Sequence, residues 1–148
     1  MIEIVPYSSE YRGRVTDLVL MFYDEALEEA GLDANYDSIE LMEATHEDST
    51  FLAVDGDNVV GVISGVITEQ RMSDSRLFHE TVWYVHPEYR TCGVRLLRHL
   101  ENWCREQGIG QIVMCFMFNS MPEKLYDFYQ RMGYRPLEVH LMKEVQHA

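Results

Sequence analysis

The sequence predicts a mixed α/β fold: a central sheet of about seven strands flanked by four helices, in the order β-α-α-β-β-β-α-β-α-β-β. Three observations predict it. Short apolar stretches, alternating or continuous, are bounded by Gly, Asn and Asp, as strands are. Between them lie segments with apolar residues at three- and four-residue spacing, each with a capping or stop residue at one end, as amphipathic helices have. The 148 residues contain no repeat, no low-complexity tract and no Pro/Gly/Ser linker, so residues 1–148 are expected to form a single domain.

Ile2 to Val5 reads as the first strand. Ser8 or Ser9 can cap a helix running to about Glu29, with Val15, Leu18, Val19, Phe22 and Ala26 as its apolar stripe and Gly31 as its stop. Asp37 or Ser38 opens a shorter helix that ends near His46. Phe51 to Asp55 and Val59 to Thr68 read as strands joined through Gly56, Asp57 and Asn58. A loop around Met72 to Arg76 leads to a strand at Phe78 to Val85. The third helix spans about Val94 to Gln107, with Leu97, Leu100, Trp103 and Cys104 on one face and Gly108 after it. Gln111 to Phe118 is nearly continuous in apolar character, as a strand buried on both faces is. The fourth helix has Ser120 and Glu123 at capping-box spacing, Pro122 in its first turn and Gly133 past its end. Tyr134 and the alternating Leu137, Val139 and Leu141 predict the last two strands.

Charge is distributed unevenly. There are 25 acidic residues against 12 Lys and Arg, a formal charge of −13, and none of the cations lies between Val15 and Gln70. A nucleic-acid binder needs a basic face, which argues against that class. The acidic first half either attracts cations or is a solvated surface, and composition does not choose between them. No apolar run is long enough to cross a bilayer and no basic leader precedes an apolar stretch, so a cytoplasmic protein without membrane contact is expected. Cys92, Cys104 and Cys115 are odd in number and widely spaced, which predicts reduced thiols. The histidines lack paired ligand spacing, and no metal site is expected.

The most specific local signal is Tyr84-Val85-His86-Pro87-Glu88-Tyr89-Arg90-Thr91-Cys92-Gly93-Val94-Arg95, a strand, a short loop with one glycine, and an amphipathic helix. Unpartnered N–H groups at a helix start, backed by the positive end of the dipole, suit phosphates.

With these residues in hand, the sequence resembles the GNAT family of N-acetyltransferases over nearly its whole length. The family's pyrophosphate loop reads Arg or Gln, two residues, Gly, one residue, then Gly or Ala, and Arg90 and Gly93 match it. Downstream, Phe128-Tyr129-Gln130-Arg131-Met132-Gly133-Tyr134 matches the family's Phe/Leu-Tyr-x-x-x-Gly-Phe/Tyr helix end. Arg95 departs from the pattern, standing where the loop has its last small residue, and either obstructs the pyrophosphate or turns outward and adds charge. The resemblance implies acetyl-CoA as co-substrate. Backbone N–H groups from Cys92 to Arg95 would hold its pyrophosphate, with Arg90 and Thr91 in the same loop, and the strand edge at Val85 would bind its pantetheine arm. Asn119 is placed in the cofactor set as the family's Asn before the fourth helix, although it lies a few residues early.

Transfer to an amine needs a neutral amine and a proton for the leaving thiolate. An alkyl amine with a pKa of about 10.4 is almost all cation at neutral pH, so a base or a water chain must take its proton. His79 lies six residues before Val85, where some branches of the family place a Glu or His base; it is equally readable as a strand histidine satisfied by a neighbour. Glu80 falls on the opposite face, so the two cannot serve one site unless the strand bulges. By resemblance Tyr129 donates to the departing thiolate, against a reading as one aromatic in the face Leu125, Phe128, Tyr129 and Met132; Tyr126 is a substitute.

The leading expectation is therefore direct acetyl transfer to a primary amine on a cationic small molecule or a peptide, with a homodimer left open. The alternative is a GNAT-fold binding or interaction module with weak or lost transferase activity, kept alive by Arg95.

Overall fold

The sheet grows by hairpins and then by one crossover. β1 (Ile2–Pro6), β2 (Thr50–Asp55), β3 (Asn58–Glu69) and β4 (Arg76–Val85) pair antiparallel in that order, and β5 (Gln111–Val113) pairs parallel with β4. The computed structural model describes residues 1–69 and 73–146, so Met72, where the predicted loop begins, lies outside the described residues. The chain forms two units, Met1–Cys115 and Phe116–Ala148.

In the first unit, a 3-10 turn at Ser9–Tyr11 leads into α1 (Arg12–Phe22), which passes into a π-helical turn, Tyr23–Leu27, before Gly31 stops the chain at φ 76°. Ser8 stands at the entry without a side-chain capping bond. α2 (Tyr36–His46) is capped by Asn35, which accepts from the Ser38 N–H at 2.9 Å, two residues ahead of the expected Asp37. These two helices cover one face of the sheet, where Val15, Leu18, Val19 and Ile39 pack with Leu52, Val54, Val62, Val82 and Tyr84. α3 (Gly93–Glu106) buries Leu96, Leu97, Leu100 and Cys104, and burial pushes the Cys104 thiol up to about 11. Trp103 of the same helix meets the Phe51 ring edge-on at 5.3 Å. At the hairpin between β2 and β3, Gly56 takes φ 62°, a conformation its neighbours' side chains would resist.

Glu43 of α2 is 5% exposed and ties α2 to α1 and to the chain after β1. It accepts from Tyr7 Oη at 3.1 Å and from Thr16 Oγ1 at 2.5 Å. Burial raises its pKa more than those bonds lower it.

The second unit holds α4 (Pro122–Arg131), followed by Gly133 at φ 95°. The predicted capping box does not form: Met121, at φ 47°, occupies the N-cap position without a side-chain bond, which leaves Ser120 outside the helix. Phe116, Phe128, Tyr129 and Tyr134 gather as an aromatic cluster, with Tyr129 at its centre.

Two strand expectations are corrected. The sheet has five strands among the described residues, not seven, and β5 covers three residues of the predicted Gln111 to Phe118. Leu137, Val139 and Leu141 are 71%, 74% and 91% exposed and take no ladder position. Alternation specifies which face of a strand is apolar, but a strand also needs an edge to pair with, and that edge is not written in the segment itself.

Candidate active site

β4 positions most of the predicted site. Its ladder with β3 pairs Ser64 with Val82 and Gly65 with Glu80, so Thr81 is an extra residue, a β-bulge. Residues opposite one another across a ladder share a face. His79, opposite Val66, therefore shares the face of Val82 and Tyr84, while Glu80, opposite Gly65, takes the other. The bulge falls after Glu80, so His79 and Glu80 still face opposite sides. Gly65 is required here, because a Cβ on it would run into the His79 carbonyl oxygen and lie 2.5 Å from Phe78 Cζ.

Glu80 is half-buried, and burial pushes its carboxyl up to about 8. His79 Nε2 lies 4.0 Å from Cys115 Sγ.

β5 pairs with Leu77, Phe78 and His79, and among the described residues of this unit no strand pairs with the outer edge of β4 beyond His79. The His86 N–H donates to the Val60 carbonyl at 2.8 Å, on the β3 side. Successive residues of a strand turn their polar groups to alternate sides, which aims the Val85 carbonyl at the open edge.

The expected loop after Val85 is a 3-10 turn, Pro87–Cys92, that runs straight into α3. Pro87 favours the turn, and His86 Nδ1 caps it by accepting from the Glu88 N–H at 3.2 Å. Within this turn the Gly93 N–H donates to the Arg90 carbonyl. Thr91 is exposed, Cys92 and Gly93 are buried, Val94 is half-buried and Arg95 is exposed. Arg95 turns away from the helix start and donates from Nη2 to the Ile2 carbonyl at 2.9 Å. Burial pushes the Cys92 thiol up.

Arg90 is held by three residues on two elements, Val85 and Tyr84 of β4 and Glu25 of the π-helical turn. Its Nε donates to the Val85 carbonyl at 2.6 Å, its Nη2 donates to Glu25 Oε1 at 2.8 Å and Oε2 at 3.0 Å, and the guanidinium carbon sits 5.3 Å from the centre of the Tyr84 ring. Tyr84 Oη donates to the same Glu25 at 2.6 Å. Burial and the Glu25 carboxylate push Tyr84 up to about 12. Burial alone would raise the Glu25 pKa, but the bonds from Tyr84 and Arg90 outweigh it and the carboxyl ends below its ordinary value. Glu25 and Tyr84 were not singled out from the sequence, since nothing local ties an acid to an arginine 65 positions later.

In the second unit, Tyr129 is 6% exposed, with ring centres 6.4 Å from Phe116, 5.7 Å from Phe128 and 5.4 Å from Tyr134. Tyr126 is 39% exposed, and Asn119 is exposed in the turn before α4. No group of three His, Cys, Asp or Glu among the described residues is arranged to hold a metal, and no described helix is long and apolar enough to cross a membrane.

The site fits a nucleotide-type cofactor. α3 has no acid in its first turn, and a Cβ at Gly93 would meet only ordinary contacts, the nearest at 3.5 Å. Internal packing therefore does not demand glycine there; close approach of a ligand would. A helix start beside a strand edge is an arrangement that an extended, phosphate-bearing ligand can use in an α/β protein.

The sequence profile of the Acetyltransferase (GNAT) family matches residues 13–134, across both units, and the chain belongs to this family. No curated protein matches the sequence. Among solved structures, an acetyltransferase from Trypanosoma brucei superposes with a TM-score of 0.72 at 16% identity, covering 98% of this chain and 100% of that one. A ribosomal-protein-alanine N-acetyltransferase from Brucella melitensis gives 0.75 at 14% identity over 97% and 99%. An aminoglycoside acetyltransferase from an uncultured soil sample, in complex with sisomicin, gives 0.73 at 15% over 98% and 97%. Likeness at these identities extends to the fold.

Proposed function

We propose that this chain is an N-acetyltransferase that moves an acetyl group from acetyl-CoA directly to a primary amine of a cationic acceptor. One observation carries the reading: the open edge of β4 leads into the start of α3, and on the same strand Glu80 has a pKa raised to about 8. Bound acetyl-CoA would supply an activated acyl group as a thioester. The Val85 edge would align its extended arm, and the first turn of α3, with Thr91, Cys92, Val94 and Arg95 around Gly93, would receive its phosphates. A carboxyl of pKa about 8 is matched to removing a proton from an ammonium near neutral pH, so we assign the base to Glu80 ahead of His79. Tyr129 is assigned as proton donor to the leaving sulfur; its ring packing fixes the phenol's orientation. Asn119 is kept as a peripheral cofactor contact.

A cationic acceptor is supported by the exposed acids Asp24, Glu28, Glu29, Asp33 and Asp37 on and between α1 and α2. Aminoglycosides are one such class, as in the complex with sisomicin above, and protein amino groups are another.

One observation favours the second reading, a binding module without turnover: Arg90 already occupies the Val85 carbonyl. An amine panel of polyamines, aminoglycosides, amino acids and lysine peptides with acetyl-CoA, scored by thiol release, separates the two. Release with at least one amine is expected, together with a rise in melting temperature on adding acetyl-CoA. Stabilisation without release from any amine favours the module, and the absence of both effects refutes the acetyl-CoA reading.

A further inference from the structure

Glu25 takes no part in the chemistry just outlined, yet it holds Arg90, the first residue of the pyrophosphate motif. It lies in the π-helical turn after α1, where the Glu28 N–H reaches back to the Tyr23 carbonyl at 3.1 Å. Such turns shift side chains out of α-helical phase and recur at functional sites. Here the turn brings Glu25 to the end of β4, where it accepts from both Tyr84 and Arg90.

The consequence falls on Val85. Its carbonyl faces the open edge that the pantetheine arm would use, and Arg90 Nε already donates to it at 2.6 Å. Arg90 thereby occupies one lone pair of that carbonyl, and an incoming amide must share the oxygen with the guanidinium or displace it. Tyr84 stands beneath the guanidinium, and Phe22 stands 5.4 Å from Tyr84, so the arrangement is built from three elements of the first unit.

We propose that Glu25 is a positioning residue that latches Arg90 across the Val85 carbonyl and closes the cofactor edge of the free protein. The cofactor's pyrophosphate opens the latch by competing with Glu25 for the guanidinium. This rests on the acetyl-CoA reading. Two features suit a latch over a permanent brace. The Arg90 and Glu25 side chains are 41% and 46% exposed, and an ion pair of that exposure is weak enough to exchange. Arginine binds phosphate through the same forked donors that it offers a carboxylate, so the guanidinium can pass from one anion to the other without losing its charge pairing.

The test is a double-mutant cycle read by calorimetry with acetyl-CoA, using wild type, Glu25→Gln, Arg90→Ala and the double variant. Glu29→Gln controls for the loss of one exposed negative charge on the same segment. Removing the latch is expected to tighten the Kd about two- to fivefold beyond the Glu29→Gln control, the range of an exposed ion pair. In the Arg90→Ala background the Glu25 substitution is expected to do nothing more than the control. Independently of any ligand, the Arg90 Nε–H resonance should be protected from exchange in the wild type and lose protection in Glu25→Gln. Weaker or unchanged binding in Glu25→Gln overturns the latch, as does an effect that persists without Arg90. If none of the proteins binds acetyl-CoA, the parent reading falls and the latch with it; if the wild type binds and Glu25 has no effect, only the latch falls.

Discussion

Replacing Glu80 with Gln separates the proposed chemistry from the fold in two measurements. Burial raises the Glu80 pKa from an ordinary carboxyl value to about 8. At pH 7 only about one molecule in ten would then carry the carboxylate, and at pH 9 about nine in ten. If Glu80 is the base, kcat/KM for an amine rises with that fraction, along a limb with its midpoint near pH 8. Glu80→Gln should abolish the limb and lower the rate at pH 8 by roughly 10²- to 10⁴-fold.

The same shift acts on stability with a definite sign. A carboxyl whose folded pKa lies above its unfolded value favours the fold at low pH, and that contribution is lost as pH rises from about 4.5 to 8. The full shift would correspond to about 5 kcal/mol; because the side chain is half-buried and reaches solvent, roughly 2–4 kcal/mol is the expected size. Glu80→Gln should therefore be close to wild type in urea at pH 4.5 and clearly more stable at pH 9. Parallel pH dependence of the two proteins would refute the raised pKa, and a limb near pH 8 that survives in Glu80→Gln would move the base to His79 or a water chain.

Three further outcomes are expected. Tyr129→Phe should lower kcat by roughly 10²- to 10⁴-fold with acetyl-CoA affinity little changed, and unchanged turnover with chemistry rate-limiting would remove Tyr129 from the mechanism. Gly65→Ala should destabilise the protein by about 1–3 kcal/mol in urea titrations, because the new methyl meets the His79 carbonyl and the fully buried Phe78 ring. Arg95→Ala should weaken acetyl-CoA binding modestly, and raising salt should weaken the wild type more than the variant; tighter binding by the variant would show that Arg95 obstructs the site.

What the sequence made legible is what short stretches of chain decide. The hairpin at Gly56, the α3 stripe of Leu97, Leu100, Trp103 and Cys104, and the passage from Val85 into Gly93 depend on neighbours within a few positions, and all appear at the expected places. Capping was less legible, because Asn35, Asp37 and Ser38 are all competent caps and only the observed geometry selects Asn35. The bulge at Thr81 left a trace in Gly65, since glycine inside a strand pattern often marks close backbone approach, but its register is a property of two strands together. The C-terminal alternation carried no information about a partner edge.

The acidic first half posed a choice between a cation-attracting field and a solvated surface, and the structure divides it three ways. Glu43 is neither: buried between Tyr7 and Thr16, it holds α2 to α1 and to the chain after β1, with its pKa raised by burial. Glu25 is neither, because its charge is neutralised by Arg90 and its geometry fixed by Tyr84. Only the remaining exposed acids contribute to a long-range field, and beyond a Debye length of about 8 Å at physiological salt their effect on an acceptor is screened. They bear on how fast a cation arrives, whereas Glu80, half-buried on β4 and shifted by burial, is the acid proposed to act on its proton. Net charge alone could not have made that division, since it weighs Glu25, Glu43, Glu80 and a solvated Glu29 alike.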